Sequence, residues 1–136
     1  MYHLLYVSSA VNLFTDAQLE ELLKVSRHNN GSCGVTGLLL YVGGNFIQLL
    51  EGEKEVVQAT HLRIANDPRH HGLITLLQGE CEKREFTEWS MGFKKVEQAN
   101  AEEVPGYSDF LQRDGDEPAH RSAAIKLFEY FKNNNR

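Results

Sequence analysis

The sequence predicts an α+β domain of ferredoxin-like order, βαββαββ, with a five-stranded mixed sheet. Two helices lie on one face and C-terminal helices cap the other. Three observations predict it. Short apolar or alternating runs mark five strands. Two segments of helical periodicity stand between them. A Gly43-Gly44 pair joins the second and third strands as a hairpin. The chain has 136 residues, the size of one domain. Residues 1–96 read as the sheet domain and residues 97–136 as a helical extension.

The first strand is residues 2–7. Tyr2, Leu4 and Tyr6 alternate with His3, Leu5 and Val7, and both sets are largely apolar, as in a strand buried on two faces. Thr15 then caps a helix, with Gln18 as its capping-box partner. Leu19, Leu22, Leu23 and Ser26 share one face of it. Its end is expected at Asn29-Asn30-Gly31, where left-handed backbone is tolerated. Val35–Val42 and Asn45–Leu50 form the hairpin. A second helix over Glu53–Asn66 turns Val57, Thr60 or His61, and Ile64 inward, and Pro68 stops it. Leu73–Gly79 is the fourth strand. Phe86–Val96 is the fifth, with Trp89, Met91 and Phe93 on one face. Residues 97–118 are polar and acidic and interrupted by Pro105, Gly106, Gly115 and Pro118. Residues 119–132 form an amphipathic helix with Ala124, Leu127, Phe128 and Phe131 on one face.

Composition removes several function classes. The charge is −5, with no basic patch of the kind a nucleic-acid binder carries. The longest apolar runs, such as Gly37–Val42, are too short to span a bilayer, so no membrane association is expected. The start, Met1–Tyr6, lacks the basic region of a signal peptide. Cys33 and Cys81 have no metal-like spacing and read as reduced thiols of a cytoplasmic protein.

The candidate chemistry lies in polar groups that a packed core would not choose. Gln48 sits in Phe46-Ile47-Gln48-Leu49-Leu50, where an unpartnered amide costs about 1–3 kcal/mol. A glutamine bonded to backbone or to Tyr6 explains it equally well. Tyr6 alone reads as core with a polar tip. Asn29 and Asn30 read as caps, Arg63 and Asp67 as a weak surface pair at i, i+4, and Asp67-Pro68-Arg69-His70 as a turn. Together they describe a slot between the two helices, over the first and third strands. Asn29, Asn30 and Gln48 can meet the edge of a planar ring there, and Arg63 and Arg69 an attached phosphate.

Six tracts resemble a known family. They are Leu5-Tyr6-Val7-Ser8-Ser9; Ser26-Arg27-His28-Asn29-Asn30; Gly34-Val35-Thr36-Gly37-Leu38-Leu39-Leu40-Tyr41; Phe46-Ile47-Gln48-Leu49-Leu50-Glu51-Gly52; Arg63-Ile64-Ala65-Asn66-Asp67-Pro68-Arg69-His70; and Phe86-Thr87-Glu88-Trp89-Ser90-Met91-Gly92-Phe93. Each is weak alone. Six in order, with fitting gaps, resemble the BLUF domain (sensors of blue light using FAD), in its short type.

The resemblance implies a flavin held without covalent attachment: FAD, with FMN or riboflavin as alternatives. It implies that Asn30 bonds the C4 carbonyl and N3 edge of the ring and Asn29 the C2 carbonyl side. Gln48 then lies between Tyr6 and the ring's N5 and C4 carbonyl. Arg63, Asp67 and Arg69 meet the ring edge or the ribityl-phosphate chain. In such proteins the tyrosine gives an electron and a proton to the excited flavin and recovers them. The glutamine side chain is left rotated or tautomerised, and absorption moves to the red. Trp89 and Met91 relay the change outward.

The physics of the residues agrees. A glutamine amide carries donor and acceptor on one pivot, so reversing it swaps the pattern in the same volume. The protein orients and tunes, and the photochemistry is the cofactor's. The 43 residues after Phe93 leave no room for a cyclase or phosphodiesterase domain, so no enzyme is expected. Output is expected through contact with a signalling protein, or within a homo-oligomer. The tail helix is expected mainly to cover the open sheet face. One rival reading is a small hydrolase of the acylphosphatase type. The loop Ser8–Thr15 lacks the anion-binding arginine that this needs. The other rival is a light-insensitive flavin-binding interaction module.

Overall fold

Every residue of the strand Asn45–Gly52 is buried, because both faces of the sheet are covered. The computed structural model describes residues 1–86, 91–96 and 117–134. In chain order these form β1 (Tyr2–Ala10), α1 (Asp16–Cys33), β2 (Thr36–Val42), β3 (Asn45–Gly52), α2 (Lys54–Ala65), β4 (His70–Glu80), β5 (Gly92–Val96) and α3 (Glu117–Asn134). The sheet order is β4-β1-β3-β2-β5. The first four strands pair antiparallel, and β5 lies parallel to β2 with Leu38 opposite Gly92. This is the ferredoxin-like sheet with one extra strand that the sequence predicts, and the extra strand lies at the β2 edge.

Strand alternation divides the apolar residues into two cores. Tyr2, Leu4, Tyr6, Leu39, Phe46 and Leu50 pack with Leu19 and Leu23 of α1 and Val57 of α2. Leu5, Val7, Leu38, Leu40, Ile47 and Leu49 face the other way. They pack with Ala123, Ala124, Leu127, Phe128 and Phe131 of α3. The tail helix thus covers the second face. Each large side chain buried there contributes about 1.5–3 kcal/mol.

The capping box at Thr15 forms as expected. Gln18 N–H donates to Thr15 Oγ1 at 3.1 Å, and Thr15 N–H to Gln18 Oε1 at 2.9 Å. The far end of α1 differs from the sequence expectation. The helix runs through Asn29-Asn30-Gly31 to Cys33. Gly34, not Gly31, takes the left-handed conformation (φ 74°), and its N–H closes on the Asn30 carbonyl. Asn30 stays helical because its side chain is buried against the fold, at 3% exposure.

Two strand boundaries also move. β4 begins at His70, because Ala10 and Ser9 of β1 extend the ladder to His70 and His71. β5 begins at Gly92, so Met91 precedes it in a bend. Trp89, expected on the same strand, lies outside the described residues. Most of residues 97–118 also lie outside them.

Glu51 is a buried carboxylate, and its partners explain why it is tolerated. Its oxygens accept from Glu85 N–H at 2.6 Å, Phe86 N–H at 3.0 Å and Thr36 Oγ1 at 3.2 Å. These bonds hold the chain as it leaves β4.

Candidate functional site

Gln48 lies directly opposite Tyr6 on β1 and Leu39 on β2. All three point to the α1–α2 side of the sheet, where a cavity opens. It encloses about 450 Å³ of space between the side chains, part of it open solvent. Tyr6, Leu39, Phe46 and Gln48 form its floor. Leu22 and Ser26 of α1, one helical turn apart, form one wall. Ile64 of α2 with Asp67, Arg69 and His70 forms the other, and Phe14 stands at one end.

The polar core of the site is a chain of three side chains. Tyr6 OH donates to Gln48 Oε1, and Gln48 Nε2 donates to Met91 Sδ at 3.4 Å. All three residues are buried. Burial pushes the Tyr6 phenol well above its ordinary range, and the Asp67 charge adds to this. The phenol is therefore a neutral donor. His61 of α2 meets the Tyr6 ring edge-on, with centroids 5.6 Å apart. Burial lowers the pKa of His61, favouring the uncharged ring beside Tyr6.

At the mouth, Asp67 pairs with Arg69 and not with Arg63. Asp67 Oδ1 accepts Arg69 N–H at 2.9 Å and Nε–H at 3.0 Å, and Oδ2 accepts Nη2–H at 2.5 Å. These bonds hold the Asp67 carboxyl below the usual carboxylate range and raise Arg69. The expected i, i+4 pairing fails because the chain turns at Pro68 and brings Arg69 back over Asp67. The Arg69 guanidinium also sits 5.9 Å from the Phe14 ring centroid.

The structure therefore gathers Tyr6, Gln48, Asp67 and Arg69 around one cavity, with Met91 behind Gln48. Asn29, Asn30 and Arg63 are not among the lining residues. Asn30 follows Ser26 by four residues on α1, along the row that begins at Leu22. Asn29 is half-buried beside it, and Arg63 is exposed in the last turn of α2. Sequence reasoning left Phe14, Phe46, His61 and His70 without roles. Period-two spacing from Gln48 identifies Phe46. Helical periodicity offers His61 as one of two inward positions of α2, whereas Phe14 and His70 are placed by tertiary contacts that no local pattern encodes.

The donor set fits a planar aromatic cofactor with a polar edge. The floor and walls are largely apolar, and Gln48 presents an amide at the floor. His70 adds an imidazole to the cavity wall, with its Nε2 2.5 Å from the Ile64 carbonyl oxygen. The fork of Arg69 toward Asp67 uses Nε and Nη2, which leaves Nη1 for an anion. Among the described residues no group of three or more His, Cys, Asp or Glu is placed to hold a metal. No helix there is long and apolar enough to cross a membrane.

Comparison with known proteins agrees with this geometry. Residues 1–92 match the family model described as BLUF, sensors of blue light using FAD. The chain is 33% identical over 89 residues to the photoactivated adenylate cyclase subunit beta of Euglena longa, covering 65% of this chain and 10% of that protein. It is 38% identical over 69 residues to the blue light- and temperature-regulated antirepressor BluF of Escherichia coli K12, covering 51% of this chain and 17% of that protein. The chain thus spans a small part of these relatives. Among solved structures it superposes on BlrB, a BLUF protein in its dark state, with a TM-score of 0.70 and 25% identity over 93% of this chain and 96% of that one. The photo-activated state of BlsA gives 0.71 and 25% over 93% of each chain. These likenesses do not favour the acylphosphatase reading. The chain belongs to the BLUF family of flavin-binding blue-light sensors.

Proposed function

We propose that this chain senses blue light through the Tyr6–Gln48 pair, with FAD seated in the cavity between α1 and α2. The observation that carries the reading is the buried chain Tyr6–Gln48–Met91, whose first two members lie on the cavity floor. A bound flavin supplies blue-light absorption and a one-electron acceptor. Tyr6 holds a redox-active phenol whose proton lies on the bond to Gln48 Oε1. Gln48 holds the hydrogen-bond pattern in one of two orientations of equal volume. Asn29 and Asn30 position the polar edge of the ring, and Asn30 continues the Leu22–Ser26 row. Arg69, oriented by Asp67, meets the phosphate chain together with Arg63. FMN or riboflavin satisfies the ring contacts equally, and the arginines favour a phosphorylated form.

Met91 passes the state of Gln48 to β5 and, with Trp89, to the tail. Residues 97–136 act as the extension through which the sheet domain signals. Its recipient is a protein partner or a second copy of the chain in a cytoplasmic homo-oligomer. The test is an absorption spectrum of flavin-loaded protein before and after blue light, followed in the dark. A red shift that reverses supports the reading. A protein that takes up no flavin, or takes it up and shows no shift, overturns it.

A further inference from the structure

Met91 is held at two points. Its sulfur accepts from Gln48 Nε2 at 3.4 Å, and its main-chain carbonyl accepts from Arg27 Nε at 2.9 Å. Arg27 lies on the last turns of α1 and is not among the residues lining the cavity. Met91 itself precedes β5 and takes no part in the β2–β5 pairing, which begins at Gly92.

The sulfur contact is asymmetric in a useful way. A thioether has no hydrogen to give, so it accepts only, whereas a phenol both donates and accepts. With Nε2 toward Met91 and Oε1 toward Tyr6, both ends of the Gln48 amide are satisfied. Reversing the amide keeps a bond at Tyr6 but sets a carbonyl oxygen against the sulfur, where no hydrogen is shared. Met91 therefore selects one of the two orientations, and does so only while its sulfur stays within reach.

We propose that Arg27 is a positioning residue that fixes the Met91 backbone so that the sulfur selects the resting orientation of Gln48. This rests on the photosensor reading for its effect on light responses, though not for its effect on Met91. The Arg27 bond is charge-assisted and part-buried. A second polar tie joins the same elements, Lys95 Nζ to Asp16 Oδ1 at 2.8 Å. It is exposed and distant from the sulfur, and so serves as the control.

The chain contains only two methionines, Met1 and Met91. A spectrum of protein labelled at the methionine methyl carbons therefore reads Met91 directly. We expect Arg27→Ala to move or broaden the Met91 methyl resonance in the dark, while Asp16→Ala leaves it in place. Arg27→Lys, which keeps the charge but not the Nε–H, falls between. With flavin bound, Arg27→Ala should keep the red shift but slow dark recovery about threefold or more, the scale of part of one hydrogen bond. An unmoved Met91 resonance in Arg27→Ala overturns the proposal, as does an equal displacement in Asp16→Ala. If Arg27→Ala does not fold, Arg27→Lys decides by the same resonance. If the unaltered protein shows no red shift, the photosensor reading fails, and the dark resonance still decides the role of Arg27.

Discussion

Tyr6 and Gln48 face each other across the β1–β3 ladder, and their side chains are hydrogen-bonded on the helix side of the sheet. Their backbones are fixed by neighbours on both sides, since β1 pairs with β4 and β3 with β2. The pair can therefore change its hydrogen bonding only by side-chain rotation or proton movement. Tyr6→Phe removes the phenol, and Gln48→Leu removes the amide. Each should retain flavin and lose the reversible red shift, read as a light-minus-dark spectrum. A normal shift in either variant would assign the switch to other residues.

The raised Tyr6 pKa makes a prediction about alkaline stability. In the unfolded chain the phenol titrates near its ordinary value of 10.0, whereas burial holds it protonated above that in the fold. Between those values the folded state binds more protons than the unfolded one. Stability from this group is therefore full below pH 10 and falls as pH rises toward the folded value, by up to about 1.4 kcal/mol per pH unit. Denaturant melts from pH 9 to 11 should show a shallower decline in Tyr6→Phe than in the unaltered protein.

Gly37 of β2 lies so close to β3 that a Cβ there would stand 1.9 Å from the Leu49 carbonyl oxygen and 3.5 Å from Met91 Cε. Gly37→Ala should cost about 3 kcal/mol or more, because main chain must move to admit the methyl. A chemical melt within about 0.5 kcal/mol of the unaltered protein would contradict this close approach.

Met91→Ala should keep a reversible red shift, because the Tyr6–Gln48 bond survives, but should slow dark recovery at least as much as Arg27→Ala, because the sulfur that selects the resting orientation of Gln48 is gone. It should weaken light-dependent hydrogen exchange across residues 91–96 and 117–132. Absence of any light-dependent exchange there in the unaltered protein would mean that output leaves by another surface.

On the opposite face, Leu127 is wholly buried among Leu5, Ile47 and Leu49. Leu127→Ala should destabilise the fold by about 3 kcal/mol while leaving flavin affinity within about twofold. A comparable loss of flavin affinity, measured by fluorescence titration, would show that the two faces are not independent.

Much of the fold was legible because its signals are local. Thr15 and Gln18 form a cap from residues three apart, and Gly43-Gly44 joins adjacent strands. The alternation of Tyr2–Val7 reports burial on both faces. The end of α1 was not legible, because Asn30 stays helical through burial that only the folded sheet provides. Nor was the β5 boundary, since Met91 is apolar like a strand residue yet turns its sulfur to Gln48. In the site, Gln48 and Arg69 stand out by residue type and placement, whereas Tyr6 and Asp67 read alone as core and as a surface pair and enter through the resemblance to the family. The partner of Asp67 was misassigned, because helix spacing favoured Arg63 and the turn at Pro68 delivered Arg69. His61 and His70 needed the packed α2–β4 junction to acquire meaning.

The sheet also works as a partition. Tyr6, Gln48 and Met91 stand on one side, and the α3 contacts stand on the other, separated by a single layer of main chain. The two sides answer to different constraints. One must match a ligand atom by atom, while the other needs only apolar cover of the right shape. Substitution on the second side thus changes the covering element without replacing any residue that lines the cavity. One layer of main chain thus carries two sets of requirements that meet only through the backbone they share.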